Sequence, residues 1–152
     1  MTGLKLFFES GEGDLGIKDR RLIVEEDINT LVLTSEFSDA RAQPADPVDE
    51  LNPEINGYWA ESLMAINGRN WGSKYWQYRR NIVNNDTVNG INDAGKEAVQ
   101  HLKDNGIVET IEVETERQGI DRIAQQITYT EPSQQQSIRI IFRNLWDFIR
   151  GL

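Results

Sequence analysis

Residues 87–142 change hydrophobic period in a way that few folds accommodate. From Thr87 to Asp104, Val88, Ile91, Gly95, Ala98, Val99 and Leu102 recur at steps of three and four. That spacing places them on one stripe of a helix, with charged and amide side chains around the rest of it. Asp86 or Thr87 is placed to cap the start, and Gly106 supplies a stop, because glycine takes the left-handed conformation that ends a helix. Gly95 costs helix propensity of up to ~1 kcal/mol relative to alanine, so its position on the buried stripe points to a neighbour that comes close. Directly afterwards the period becomes two. Ile107, Ile111 and Val113 alternate with Thr110, Glu112 and Glu114, Gln118-Gly119 reads as a turn, and Ile123, Ile127 and Tyr129 continue the alternation. This is a β-hairpin with one wet face. After the loop "EPSQQQ", the run "SIRIIFRNLW" (137–146) reads as a final strand. Ile138, Ile140 and Phe142 fall on one of its faces, and Arg139, Ile141 and Arg143 on the other. The expected fold class is therefore α+β, an antiparallel C-terminal β-meander packed by one amphipathic helix.

The rest of the chain is organised around that core. At 152 residues a single domain is expected over 1–152. "LKLFF", "RRLIVEEDI" and "TLVLTSEF" (30–37) read as strands separated by the turn chemistry of "SGEGDLG", which makes 1–37 an N-terminal β unit. Residues 38–57 hold three of the four prolines among acids and Asn. They form an extended acidic loop, mobile or laid as an arm over a neighbour. The α+β core then covers 58–152, beginning with a short helix at 58–66. Ser73 stands at an N-cap position, and "KYWQYRRN" follows as one or two helical turns with Tyr75 and Tyr78 on one face.

Charge and residue inventory remove several functions. There is no cysteine, so disulfides and thiolate metal sites are excluded. The start lacks a basic region followed by a long apolar run, and no stretch approaches ~20 apolar residues. A soluble protein with no membrane association is expected. The net charge of −9 opposes general nucleic-acid binding, which needs a positive footprint. The single histidine, His101, lies at a helix end, where the dipole favours it, and a Ser-His-Asp arrangement would have to use it. "NNDTVNGIND" lacks calcium-loop spacing and reads as a helix start. Glu112, Glu114 and Glu116 look like a solvated strand face. Glu54 and Glu61, near tryptophans, are the better candidates for paired-carboxylate hydrolysis. Neither glycine cluster follows a phosphate-loop or dinucleotide pattern. No catalytic residue, metal site or cofactor is expected.

One local feature runs against the acidic balance. "GSKYWQYRR" (72–80) gathers three aromatics and three cations behind "INGRNWG". Such a patch has the composition of a binding hot spot, of a base-stacking platform, or of a small aromatic core, and composition leaves these open.

The order of the pieces resembles a known family. "SEFSDARA", "NGYWAE", "WGSKYWQYRR" and "AVQHLKDNGIVETIEVE" together are similar to the phage Mu-type baseplate wedge family over about residues 30–130. Asp39, Ala40, Arg41 and Ala42 stand where that family has an aspartate-arginine-alanine run. Gly57, Tyr58 and Trp59 match a glycine-tryptophan-tryptophan stretch. Gly72, Ser73, Lys74, Tyr75 and Trp76 match a glycine-serine-arginine-leucine-tryptophan motif, with Lys74 and Tyr75 departing from the usual Arg and Leu. The family is similar to the sheath-initiator wedge proteins of contractile tails, some of which have carried a lysozyme label. A glycine-glutamate-proline-arginine-like motif found in those relatives is missing here.

The resemblance implies a non-enzymatic virion component of the tail baseplate, made in the host cytoplasm. It implies a monomer in isolation and six copies around the tail axis. The implied partners are the baseplate wedge proteins and the tail sheath protein, with the central hub or spike as a further neighbour. On this reading Trp59, Trp71, Gly72, Ser73, Lys74, Tyr75, Trp76, Arg79 and Arg80 dock the wedge core. Ile138, Ile140, Ile141, Phe142 and Trp146 face the sheath, whose strands extend the C-terminal sheet. A tail-associated peptidoglycan hydrolase is the competing function.

Overall fold

The computed structural model describes residues 3–9, 12–25, 28–46, 57 and 71–151. The expected helix at 58–66 and the carboxylates Glu54 and Glu61 lie outside them, as does Trp59. The N-terminal part is built of short antiparallel pairs: β1 (Gly3–Leu4) with β6 (Val24–Glu25), β2 (Leu6–Glu9) with β3 (Glu12–Leu15), and β4 (Ile17–Lys18) with β5 (Arg21–Leu22). Asp19 and Arg20, at φ +52° and +61°, make the two-residue tip between β4 and β5, the backbone that a tight hairpin requires. No described side chain of this unit is buried. Leu4, Phe7, Leu15, Ile17, Leu22 and Val24 all stand exposed, Ile17 at 72%.

The expected strand over 30–37 is a helix instead, α1 (Asn29–Phe37). Its buried residues are Val32, Leu33, Ser35 and Glu36, a pattern of helical steps. Strand propensity measures fit to a half-buried pleated surface and yields when the tertiary setting differs. Two hydroxyls of this segment bond the helix backbone: Thr34 Oγ1 donates to the Thr30 carbonyl (2.9 Å) and Ser35 Oγ to that of Leu31 (2.8 Å).

A single 3-10 turn (Tyr75–Tyr78) precedes α2 (Asn85–Asp104). Helix α2 begins two residues before the expected Thr87 because Asn84 is the cap, its side chain accepting from the Thr87 N–H at 2.8 Å. Every residue of the anticipated stripe is buried, together with Thr87 and Ala94. The helix stops as expected, with Gly106 at φ +68°.

The C-terminal sheet has the order β7-β8-β9, with β7 Thr110–Arg117, β8 Ile123–Thr130 and β9 Ile138–Phe142. Register aligns Val113 with Ile127 and Ile127 with Ile140. The inner face therefore carries Ile111, Val113, Ile123, Gln125, Ile127, Tyr129, Ile138, Ile140 and Phe142, and α2 packs against it. Glu112, Glu114 and Glu116 form the exposed row on the outer face. The final strand is shorter than expected. It ends at Phe142, and Leu145–Arg150 form the helix α3. Leu145, Trp146 and Ile149 turn inward at helical spacing, each contributing about 1.5–3 kcal/mol of burial. Phe37 of α1 meets the rings of Phe142 (4.8 Å) and Phe148 (4.4 Å) edge-on, so α1, β9 and α3 close one end of the core.

Candidate interaction surface

The aromatic-basic stretch is laid along α2, running opposite to it. Trp71 sits against His101, ring centroids 4.7 Å apart, at the C-terminal end. Tyr75 fills the space left by Gly95, where a Cβ would lie 2.6 Å from its hydroxyl. Tyr78 does the same at Gly90, with 2.4 Å to its hydroxyl. The close neighbour that Gly95 implied is thus a tyrosine of the same chain. Two glycines in α2 weaken the helix but admit two rings, an exchange that local propensity alone cannot justify.

The second contact of this stretch is the first part of the acidic loop. Gly72 adopts φ +102°, and a Cβ there would lie 2.4 Å from the Ser38 carbonyl oxygen. Only glycine lets the two backbones approach in this way. A parallel bridge joins Asp39 to Ser73. Its bonds run from the Ser73 N–H to the Ser38 carbonyl (2.8 Å) and from the Ala40 N–H to the Ser73 carbonyl (2.9 Å). The Trp76 indole N–H donates to the Ala40 carbonyl at 2.9 Å. The two motifs read separately in the sequence, 39–42 and 72–76, are therefore one structural unit. Residues 38–40 and Asp46 are thus tied to their own chain, while 41 and 43–45 stay exposed.

Charge follows the same path. Lys74 Nζ lies 3.1 Å from Asp46 and 3.5 Å from Glu97. Asp46 also accepts from the Gln43 N–H (2.8 Å) and Gln77 Nε2 (3.2 Å). Burial pushes the Asp46 carboxyl up, but the bonds from Gln43, Lys74 and Gln77 and the lysine charge outweigh it and hold it below its ordinary value. Burial likewise pulls Lys74 down and is outweighed by Asp46 and Glu97, so the ammonium is raised. Arg79 reaches Asp39 at 3.7 Å with both side chains largely in solvent, a contact worth little by itself.

Beneath the turn is a polar cluster with no warning in the motifs. Glu36 is fully buried and bonded to the Tyr75 hydroxyl. That hydroxyl accepts from Gln125 Nε2 at 2.8 Å, which is also 3.2 Å from Thr115 Oγ1. Burial drives the Glu36 carboxyl up to about 8, the bond from Tyr75 opposing it only in part. Burial and then the neighbouring Glu36 charge push the Tyr75 phenol well up. The departure at Tyr75 is thereby accounted for, since a leucine would leave Glu36 and Gln125 without that hydroxyl; Lys74 keeps the family's positive charge and pairs within this chain. The signal for Glu36 was a lone acid in the apolar run "LVLTSEF", legible only once that run is known to be a helix facing inward.

The residues expected to form two docking faces separate by burial. Of the first set, Gly72, Ser73 and Tyr75 are interior, Trp71, Lys74 and Trp76 are half-buried, and Arg79 and Arg80 are exposed. Of the second, Phe142 and Trp146 are buried, Trp146 to 2% exposure, and Ile138 and Ile140 are half-buried on the inner face. Strand alternation forces this, since Ile138, Ile140 and Phe142 share the side covered by the helices. Ile141 alone of the five is exposed, at 52%, between Arg139 and Arg143. Strand β9 pairs with β8 and with no other described strand.

The catalytic candidates that can be located do not assemble. His101 Nδ1 lies 2.9 Å from the Ala98 carbonyl, where a triad would need its carboxylate, although Ser35 Oγ is 3.4 Å from Nε2. Ser35 Oγ itself donates to the Leu31 carbonyl. Among the described residues no group of three His, Asp or Glu side chains converges as a metal site would.

Fold and site define an α+β protein whose distinctive residues hold an aromatic turn and shape a surface. Residues 28–136 match the family model "Phage protein GP46", and the chain belongs to that family. It is similar to "Baseplate protein gp46" of Escherichia phage Mu, 28% identical over 117 residues, covering 77% of this chain and 79% of that protein. It is also similar to "Mu-like prophage FluMu protein gp46" of Haemophilus influenzae, 25% identical over 113 residues, covering 74% and 75%. The described β unit at 3–25 precedes the matched region.

Proposed function

We propose that this chain is a structural, non-catalytic subunit of a phage tail baseplate, and within it a wedge component that joins the wedge core to the first ring of a contractile sheath. The relative named as a baseplate protein supports the first part. The observation that carries the finer part is β9. Its far edge meets no described strand, and its outer face presents Ile141 between two arginines. Exposed edges are normally blunted or covered, and an added strand is the usual cover. The N-terminal unit supports the same reading, since six of its described apolar residues stand exposed.

On this proposal β9 takes a strand of the sheath protein, with acidic or apolar side chains opposite Arg139, Ile141 and Arg143. Arg79 and Arg80 carry the contact to the wedge proteins, and six copies surround the axis. Trp71, Trp76 and Tyr75 act indirectly, by holding the turn on which those arginines are displayed.

The test is assembly in tails carrying Ile141→Asp, a substitution at an exposed position that leaves the core untouched. The expected result, by electron microscopy, is baseplates that form but carry no sheath. Arg79→Ala with Arg80→Ala is expected to lower co-purification with the wedge proteins. Full-length sheath on Ile141→Asp baseplates refutes the sheath assignment. Clearing of a peptidoglycan suspension by the purified chain refutes the non-catalytic one.

A further inference from the structure

The cluster under the aromatic turn combines features that rarely coexist in a purely structural core. Glu36 is wholly enclosed, one of its oxygens bonds the Tyr75 hydroxyl, and the other, Oε1, has no hydrogen-bond partner among the described residues. Among the described residues, the elements packed around it bring no compensating cation. From the 3-10 turn comes the Tyr75 hydroxyl, while Lys74 turns away to Asp46 and Glu97. From β8 and β7 come Gln125 and Thr115, both uncharged. From α2 comes the gap at Gly95, and His101 reaches Ser35 instead. Among the described residues a carboxylate ion there finds neither a counter-charge nor a donor for one oxygen, a deficit that a neutral carboxylic acid eases.

We propose that Glu36, Tyr75 and Gln125 form a proton-controlled latch. With its proton, Glu36 keeps the turn at 72–78 seated on α2 and on residues 38–40. Loss of the proton drives Glu36 towards solvent and frees that turn before the rest of the chain unfolds. The latch is a property of the isolated chain, so it stands or falls independently of the baseplate role proposed above.

The direction follows from proton linkage. Opened, the carboxyl titrates near its ordinary 4.5; seated, it is raised to about 8. Between those values the seated form holds the extra proton. Closure is therefore strongest below the lower value, weakens by about tenfold per pH unit as pH rises, and levels off above the higher one.

The test follows amide hydrogen exchange on the whole chain between pH 6 and 9, expressed as protection factors that remove the intrinsic pH dependence. The reporters are the Ala40 and Ser73 amides, which hold the bridge between the two segments, with Ile91 and Val99 of α2 as internal controls. In the wild type, protection at Ala40 and Ser73 is expected to fall about tenfold per pH unit up to about pH 8 and then level, while Ile91 and Val99 change little. In Glu36→Gln all four are expected to stay flat. In Tyr75→Phe, which removes the donor that favours the ion together with the acceptor for Gln125, the fall is expected to persist and extend to higher pH. A fall of the same slope in Glu36→Gln overturns the proposal. So does equal loss at Ile91 and Val99, or a Glu36 carboxyl carbon that titrates by NMR in the ordinary carboxylate range.

Discussion

Replacing Gly95 with alanine sets two physical arguments against each other. Helix propensity alone promises a gain of up to ~1 kcal/mol, since Gly95 lies in the interior of α2. The packing says the opposite. The new methyl would stand 2.6 Å from the Tyr75 hydroxyl, 2.8 Å from Gln125 Nε2 and 3.1 Å from Val113 Cγ1. Relieving such overlap in a filled core costs about 1–3 kcal/mol, and parting Tyr75 from Gln125 leaves buried polar atoms unsatisfied at a further ~1–3 kcal/mol. The net expectation is a loss of about 2 kcal/mol or more. Urea unfolding followed by circular dichroism at one fixed pH, such as 6, measures it without interference from Glu36. The Tyr75→Phe background isolates the cause, because it removes the atom that the methyl strikes first. There the penalty of Gly95→Ala is expected to shrink by about 1 kcal/mol or more. A Gly95→Ala chain more stable than wild type refutes the reasoning, as does a penalty unchanged by Tyr75→Phe.

Two further substitutions test the clasp and the helix start. Gly72→Ala combines a left-handed backbone at φ +102° with a methyl 2.4 Å from the Ser38 carbonyl oxygen. It is expected to cost about 2–3 kcal/mol and to shift the Trp76 indole N–H resonance, read by NMR, because that group bonds Ala40. Asn84→Ala removes the cap that receives the Thr87 N–H and is expected to cost about 1 kcal/mol in urea unfolding.

Much of the core was legible because it depends on local periodicity. The stripe of α2, the hairpin alternation and the stop at Gly106 each follow from side-chain spacing, which the backbone geometry of helix and strand converts directly into faces. The anomaly of Gly95 was legible too, as a need for close approach. The site was less so. "TLVLTSEF" carries strand-forming residues, yet helical burial of Val32, Leu33, Ser35 and Glu36 decides it. "NLW" (144–146) reads as the end of the strand, but Leu145 and Trp146 belong with Ile149 to a closing helix. Such short segments hold too little period to choose between the two states, so the surroundings choose.

The sequence by itself determined an acidic, cysteine-free α+β chain whose amphipathic helix leads into an antiparallel sheet, because these rest on composition and on repeats a few residues long. Only the tertiary structure decided what the aromatic-basic stretch does. It joins Gly72 to Ser38, Tyr75 to Glu36 and Gly95, and Trp76 to Ala40, pairs separated by 20 to 39 positions along the chain. Contacts at that distance leave no periodic trace. They depend on which surfaces meet once the chain has closed, and that meeting buried Gly72, Ser73 and Tyr75, half-buried Trp71, Lys74 and Trp76, and left Arg79 and Arg80 exposed.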